Sequence, residues 1–418
     1  MFRKIQLLLE HLLKKNAEVL PIKQQNDDTF IQSIKQPNSN VNFAKIPNNN
    51  NEILLKELSN SDINWIFANG YQQQIISGSV LIRQQSQVDS LYIVMKGTFS
   101  ASIKRNQHST LASVFAALED NDDLQQEIAH FSTSEVFGET SFLNISTSAI
   151  TVKALENSVV LTLPRQKLLT KLQEDLDFAS RFYRVIAIIL WERFEYLVKQ
   201  FVHRQNLQIR SLQDIPLIFG ELSDSDVEWM IEYSQIEEFT QGTVLIQAGR
   251  SVENLYLLLQ GSVSVFFKES KTNALSSVFA SLENKDQTDE LPGYEIAQLI
   301  RGELIGEMAL LDGRLPAYNF KALEDLRVLV IPRQLLSIKL LQNPSMGNRF
   351  YRVIAMLLLA RLQALISRLI YDTSSYQIGQ TLLQDLGYEN EINLETMDKI
   401  SLGGARFDWM LRRLRILS

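Results

Sequence analysis

The sequence predicts an α+β chain, mainly β, built from two tandem antiparallel β-rolls that are each flanked by helices. Three observations carry that prediction. Long segments of the chain occur twice, each copy alternates short apolar runs with glycine turns, and each copy ends on a long stretch nearly free of Gly and Pro. The duplication is the strongest of the three. Asp62-Ile63-Asn64-Trp65 returns as Asp226-Val227-Glu228-Trp229, and Gly78-Ser79-Val80-Leu81-Ile82 returns as Gly242-Thr243-Val244-Leu245-Ile246. Leu91–Gly97 pairs with Leu255–Gly261, and Ser113–Glu119 with Ser277–Glu283, all at an offset of 164. From Gly138-Glu139 against Gly306-Glu307 onward the offset is 168, so copy two carries a net four-residue insertion before that point. Pro164-Arg165-Gln166 returns as Pro332-Arg333-Gln334, and Arg181–Ala187 is identical to Arg349–Ala355. A period of this length marks a duplicated domain, where a solenoid repeat would be far shorter.

The elements follow in order within each copy. Asp62–Ala68 and Asp226–Tyr233 read as short amphipathic leading helices. Val80–Ile82 and Leu91–Met95 read as strands, Gly97 as a turn, and Thr98–Ile103 as an alternating strand; copy two repeats this through Leu255–Leu259, Gly261 and Ser262–Phe267. After the last strands, Val159–Leu163 and Val328–Ile331, the stretches Phe178–Phe201 and Met346–Ile370 read as long helices, the second interrupted only by Gly347. The expected organisation is therefore an N-terminal segment over 1–54, copy one over 55–205, copy two over 206–370 and a tail over 371–418.

The ends read differently from the body. Phe2, Ile5, Leu8, Leu9, Leu12 and Leu13 recur at helical spacing, with Arg3, Lys4, Lys14 and Lys15 elsewhere, giving a short helix that either docks on the body or lies on a membrane surface. An Asn- and Gln-rich stretch over 21–51 reads as a linker. Ala405–Leu417 sets Phe407, Met410, Leu411 and Leu414 against several arginines, and either packs on the body or meets a partner or membrane.

Composition narrows the function classes. The 418 residues include no cysteine, which excludes disulfides, thiolate metal sites and cysteine nucleophiles and fits a cytoplasmic setting. A formal charge of -7 makes nucleic acid a poor partner. No apolar run reaches the roughly 20 residues that a spanning helix needs. Four histidines without ligand spacing argue against a metal site, and no nucleophile elbow, Walker loop, HExxH or kinase signature argues for an enzyme.

One motif carries the functional reading. Leu304-Ile305-Gly306-Glu307-Met308-Ala309-Leu310-Leu311-Asp312-Gly313-Arg314 resembles the phosphate-binding cassette of the cyclic nucleotide-binding domain family, which includes the protein kinase A regulatory subunit and the catabolite activator protein. Phe137-Gly138-Glu139-Thr140-Ser141-Phe142 is its counterpart in copy one, and both copies carry the early Leu-Tyr-x-x-x-x-Gly element and the family's Gly-x-x-Ile with Leu81 and Leu245 in place of the isoleucine. The chain is similar to bacterial tandem members of that family, without the helix-turn-helix of a catabolite-activator-like regulator.

The resemblance implies anion capture by a short helix that begins after Gly-Glu, with glycine allowing close backbone approach. It implies that Glu139 and Glu307 accept from a ribose hydroxyl, and that Thr140, Ser141, Met308 and Ala309 offer backbone N–H groups. Ser148, Thr151, Ala317 and Asn319 complete the candidate sites near the cassette ends. The family's phosphate arginine falls on Ser148 in copy one and on Pro316 in copy two, and neither can form a charged fork. Arg314, two residues before Pro316, is the candidate replacement. The expectation is a regulatory protein that senses cAMP, another cyclic nucleotide or a related anion, favouring copy two, needing no cofactor, and signalling through a protein partner or self-association. The alternative is a ligand-free interaction scaffold, with membrane-surface contact through the terminal helices.

Overall fold

The computed structural model describes residues 56–104, 125–143, 147–202, 215–267, 293–370 and 394–416. The expected N-terminal helix, the Asn/Gln-rich linker and the repeated Ser113–Glu119 and Ser277–Glu283 segments lie outside the described residues.

Copy one opens with α1 (Asn60–Asn69), and its first turn is fixed by a capping box in which Ser59 and Asp62 satisfy each other's backbone N–H groups. Two four-stranded antiparallel sheets follow. One is ordered β1 (Tyr71–Ile75), β8 (Ser158–Pro164), β3 (Ser90–Lys96), β6 (Val136–Phe137); the other is β2 (Val80–Ile82), β7 (Thr151–Ala154), β4 (Phe99–Lys104), β5 (Gln125–Phe131). Phe99, Phe131, Phe137 and Val152 fill the space between them. Helix α2 (Arg165–Glu174) and the long α3 (Leu176–Phe201) close the copy.

Copy two repeats the plan. It begins with α4 (Ile215–Glu221) and α5 (Asp224–Glu232), the latter capped by a second box between Ser223 and Asp226. Its sheets are β9 (Gln235–Phe239), β16 (Leu326–Pro332), β11 (Asn254–Gln260), β14 (Leu304–Ile305), and β10 (Val244–Ile246), β15 (Tyr318–Ala322), β12 (Val263–Phe267), β13 (Tyr294–Leu299). It ends with α6 (Arg333–Gln342) and the long α7 (Pro344–Ile370). The order is that of copy one, so the duplicated sequence yields a duplicated tandem β-roll.

The identical Arg-Phe-Tyr-Arg-Val-Ile-Ala segments work in two directions. Arg181 grips Asp62 through Nε at 2.7 Å and Nη2 at 3.1 Å, and Arg349 grips Asp226 at 2.6 and 3.0 Å, tying each long helix to its own leading helix. Phe182 and Phe350 enter the core. Beyond them the two long helices pack together. Arg184 lies 5.7 Å above the Tyr351 ring and Arg352 lies 5.8 Å from the Tyr183 ring, so matching positions of the two copies meet. Arg184 also donates to the Leu311 carbonyl in copy two at 3.0 and 2.6 Å. The segment therefore serves both as core and as the contact between copies.

Gly347 has a physical reason in this contact. A Cβ there would lie 2.5 Å from Ser180 Oγ on α3, so the glycine permits the close helix approach, although glycine within a helix costs about 1 kcal/mol. The buried run Val353, Ile354, Ala355, Leu357 and Leu358 belongs to the same hydrophobic core as the buried residues of α3.

The tail forms α8 (Leu394–Arg413), which starts well before the expected Ala405. Gly403 and Gly404 are weak helix formers, but packing overrides propensity here. Phe407, Met410 and Leu411 are buried, with Phe407 5.2 Å from Phe219 on α4. Lys399 reaches Glu221 at 2.8 Å, and Arg406 reaches Asp224 at 2.6 Å. Phe407, Met410 and Leu411 of the tail are thus covered by the body. No described helix is long and apolar enough to cross one.

Candidate functional site

The cassette residues sit where β6 and β14 end. Gly138 (φ +86°) and Gly306 (φ +92°) occupy the left-handed region, and a Cβ on Gly306 would come within 2.8 Å of the Asn254 carbonyl oxygen. Each is followed by a four-residue 3₁₀ helix, Glu139–Phe142 and Glu307–Leu310, at the place where the resemblance implies a short helix. Within the turns Ser141 N–H donates to the Gly138 carbonyl at 3.4 Å and Ala309 N–H to that of Gly306 at 3.2 Å. These two expected anion donors are therefore engaged by the backbone of the turn itself.

Both cassette glutamates are almost fully buried, with 1% of Glu139 and 4% of Glu307 exposed. Buried carboxylates need a partner, and the long helix of the same copy supplies one. Arg193 on α3 pairs with Glu139 and also donates to the Val136 carbonyl. Arg361 on α7 donates to Glu307 Oε1 at 2.6 Å. Sequence reasoning missed both arginines. The signal was present, because Arg193 and Arg361 stand at the same 168-residue offset as the cassettes. Glu139 Oε2 has no hydrogen-bond partner among the described residues.

The two copies differ in the space above these glutamates. In copy two a cavity of about 340 Å³ is lined by Gly306, Glu307, Met308, Ala309, Arg314 and Ala317 among others. The corresponding cavity of copy one, which Gly138, Glu139, Thr140 and Ser148 line, holds about 80 Å³. Asn319 and Thr151 do not line either cavity. Asn319 Oδ1 accepts from Ala248 N–H at 2.8 Å and Thr151 Oγ1 from Gln84 N–H at 3.1 Å, so at equivalent positions both tie down the loop after the second strand. Ser148 is occupied locally as well, donating from Oγ to the Ile150 carbonyl at 2.8 Å. Ser141 Oγ donates to the Gly138 carbonyl at 2.8 Å.

Arg314, the candidate phosphate clamp, borders the larger cavity but is held by two carboxylates. Its Nε pairs with Asp312, and its Nη1 lies 3.5 Å from Glu192 Oε1 on α3 of copy one. Burial between the copies, with Asp312 and Glu195 nearby, pushes Glu192 up to about 7 against the opposing pull of Arg314 and Arg193. Because the folded value exceeds the unfolded one, folding takes up a proton between about pH 4.5 and 7, and stability falls as pH rises through that window. Glu192→Gln should flatten this slope and stabilise the protein at pH 8 by on the order of 1–2 kcal/mol, read from urea midpoints at pH 5 and 8.

Comparison with known families decides the assignment. The model of the cyclic nucleotide-binding domain matches residues 72–175 and 236–343, half of the chain and once in each copy. The chain belongs to the cyclic nucleotide-binding domain family. Copies one and two are its domains 1 and 2. No curated protein matches the chain in sequence. Among solved structures it is similar to the regulatory domain of Toxoplasma gondii protein kinase A with cAMP, at 17% identity, covering 70% of this chain and 89% of that one (TM-score 0.24). It is also similar to the regulatory subunit of a cAMP-independent protein kinase A from Trypanosoma cruzi bound to guanosine, at 16% identity, covering 71% and 86% (TM-score 0.24). A third similarity is to the Thermus thermophilus catabolite activator protein, at 13% identity, covering 45% and 75% (TM-score 0.29).

Proposed function

We propose that the chain is a ligand-responsive regulator in which domain 2 takes a cyclic nucleotide or a related small anion, while domain 1 no longer does. Under this reading it acts in the cytoplasm by binding and not by catalysis, and its output is a contact with a protein partner or a second copy of itself. The observation that carries the reading is the pair of cavities. About 340 Å³ falls within the range of small-molecule sites and about 80 Å³ lies well below it.

The chemistry of domain 2 supports the same choice. A ligand hydroxyl that donates to Glu307 changes the carboxylate's hydrogen bonding to Arg361, and Arg361 is part of α7. A ligand phosphate that draws Arg314 away from Asp312 and Glu192 loosens a link to α3. Both long helices therefore lie one contact from the cavity, which is what a relay needs. The second reading, a scaffold with lapsed pockets, is favoured by Pro316 at the phosphate position.

Thermal unfolding of the full chain with cAMP, cGMP and AMP at rising concentration distinguishes the two. Ligand binding only to the native state should raise the midpoint by several degrees, increasing with the logarithm of ligand concentration above Kd, and Glu307→Ala should abolish the rise. No shift with any of them at millimolar concentration would leave the scaffold.

A further inference from the structure

The wall of the larger cavity is shared between the domains. Trp191, Phe194, Glu195 and Lys199 of α3 join it, and Leu359, Leu362 and Gln363 of α7 line the small cavity in return. Glu192 stands on the same stretch of α3. Its side chain is 14% exposed, and its Oε2 has no hydrogen-bond partner among the described residues. Its Oε1 lies 3.5 Å from Nη1 of Arg314 in domain 2. The same guanidinium serves a second carboxylate, because Arg314 Nε pairs with Asp312, whose Oδ1 also accepts from the Arg314 backbone N–H at 2.9 Å. The other charged groups that face Glu192 are Glu195 and Arg193 on its own helix. Arg193 is taken by Glu139, and Glu195 is itself an acid, paired with Lys199 at 3.2 Å.

Two carboxylates of low exposure therefore share one guanidinium, and that guanidinium borders the larger cavity. The duplication supplies an internal control. Ala360 matches Glu192, Gln363 matches Glu195, Asn144 matches Asp312 and Ser146 matches Arg314, so the four charges occur as a set on one side of the repeat. An anion that enters the larger cavity competes with both carboxylates for Arg314. Asp312 stands two residues from Arg314, whereas Glu192 is fixed on a packed helix of the other domain and cannot follow the guanidinium. A buried carboxylate that loses its cation takes up a proton instead. Burial already pushes Glu192 up to about 7 with Arg314 in place, so the loss of Arg314 raises it further.

We propose that Glu192 makes anion binding by domain 2 proton-linked: the ligand draws Arg314 from Glu192, and Glu192 takes one proton from solvent in exchange. The inference rests on the reading that domain 2 binds an anionic ligand, and adds the regulation of that site by pH through a residue of the other domain. The sign follows from the two states. Below about pH 7 Glu192 is protonated with or without ligand, and pH has little effect. Above it, Glu192 is ionised in the free chain and protonated in the complex, so affinity falls as pH rises.

Calorimetric titration of the full chain with cAMP, which does not itself titrate between pH 6 and 8.5, tests this. Kd should rise about five- to tenfold from pH 6 to pH 8.5. At pH 8 the apparent binding enthalpy should differ between Hepes and Tris, as uptake of up to about one proton from the buffer requires. Glu192→Gln keeps the shape of the side chain and removes the carboxylate. It should bind cAMP more tightly than the unmodified chain at pH 8.5, with neither the pH slope nor the buffer dependence. A Kd independent of pH in the unmodified chain, or a slope retained by Glu192→Gln, would overturn the inference while leaving domain 2 as a ligand site. Absence of saturable cAMP binding by the unmodified chain at pH 6 would overturn the inference and the reading together.

Discussion

Arg349→Met should lower the unfolding free energy by about 3–5 kcal/mol, because it strands a charge that the fold has buried. Asp226 is 2% exposed and is held by Arg349 through two hydrogen bonds, at 2.6 and 3.0 Å, besides its capping bonds with Ser223. Burial alone would push its carboxyl up, yet the Arg349 and Ser223 hydrogen bonds outweigh burial and hold it below the usual carboxylate value. A depressed folded value contributes stability that is complete above the unfolded value near pH 4 and is lost as pH falls through the folded one. The loss caused by Arg349→Met should therefore be largest at pH 7 and shrink toward pH 3, followed by urea unfolding at both. Asp226→Asn added to Arg349→Met should recover part of the loss, since the stranded charge is then gone. A change below about 1 kcal/mol at pH 7 would contradict the account of the long helix as fastened through this pair.

How much of this was legible in the sequence depends on whether a feature is local or arises between copies. The β-rolls were legible because alternation and glycine turns are local signals, and the duplication let each copy corroborate the other. The cassettes were legible because Gly306 and Glu307 sit in a short, distinctive run. The short helix expected after Gly306 is a four-residue 3₁₀ helix, in which Ala309 closes back on Gly306. The tail helix began earlier than its periodicity suggested because Phe407 and Lys399 are fixed by contacts to Phe219 and Glu221 on α4, far away in the chain.

What sequence reasoning could not reach was which side chains the long helices turn toward each other's domain. Nothing local marks Trp191 as facing domain 2 or Leu359 as facing domain 1. Arg314 shows the same limit: its spacing suggested a phosphate clamp, and only the fold brings Glu192 of the other domain to within 3.5 Å of it. Aligning the two copies beyond the cassette would have exposed Arg193 and Arg361, since both stand at the same offset as the glutamates they serve.

The central claim is that domain 2 retains a usable site and domain 1 does not, and restoring the family arginine to each domain tests it. Pro316 lines the large cavity, and as a proline it donates no backbone hydrogen bond that a substitution would break. Pro316→Arg places a guanidinium where the family clamps phosphate, and charge-assisted bonds of about 1.5–3 kcal/mol each make a gain of about 10–100-fold for cAMP the expected result. Ser148→Arg places the same group beside a cavity of about 80 Å³ walled by Leu359, Leu362 and Ile366, where no room for a nucleotide exists. Calorimetric titration of the two variants with cAMP should give one site per chain with increased affinity for Pro316→Arg and no gain for Ser148→Arg. Unchanged affinity in Pro316→Arg, or a gain in Ser148→Arg, would contradict the assignment of the site to domain 2.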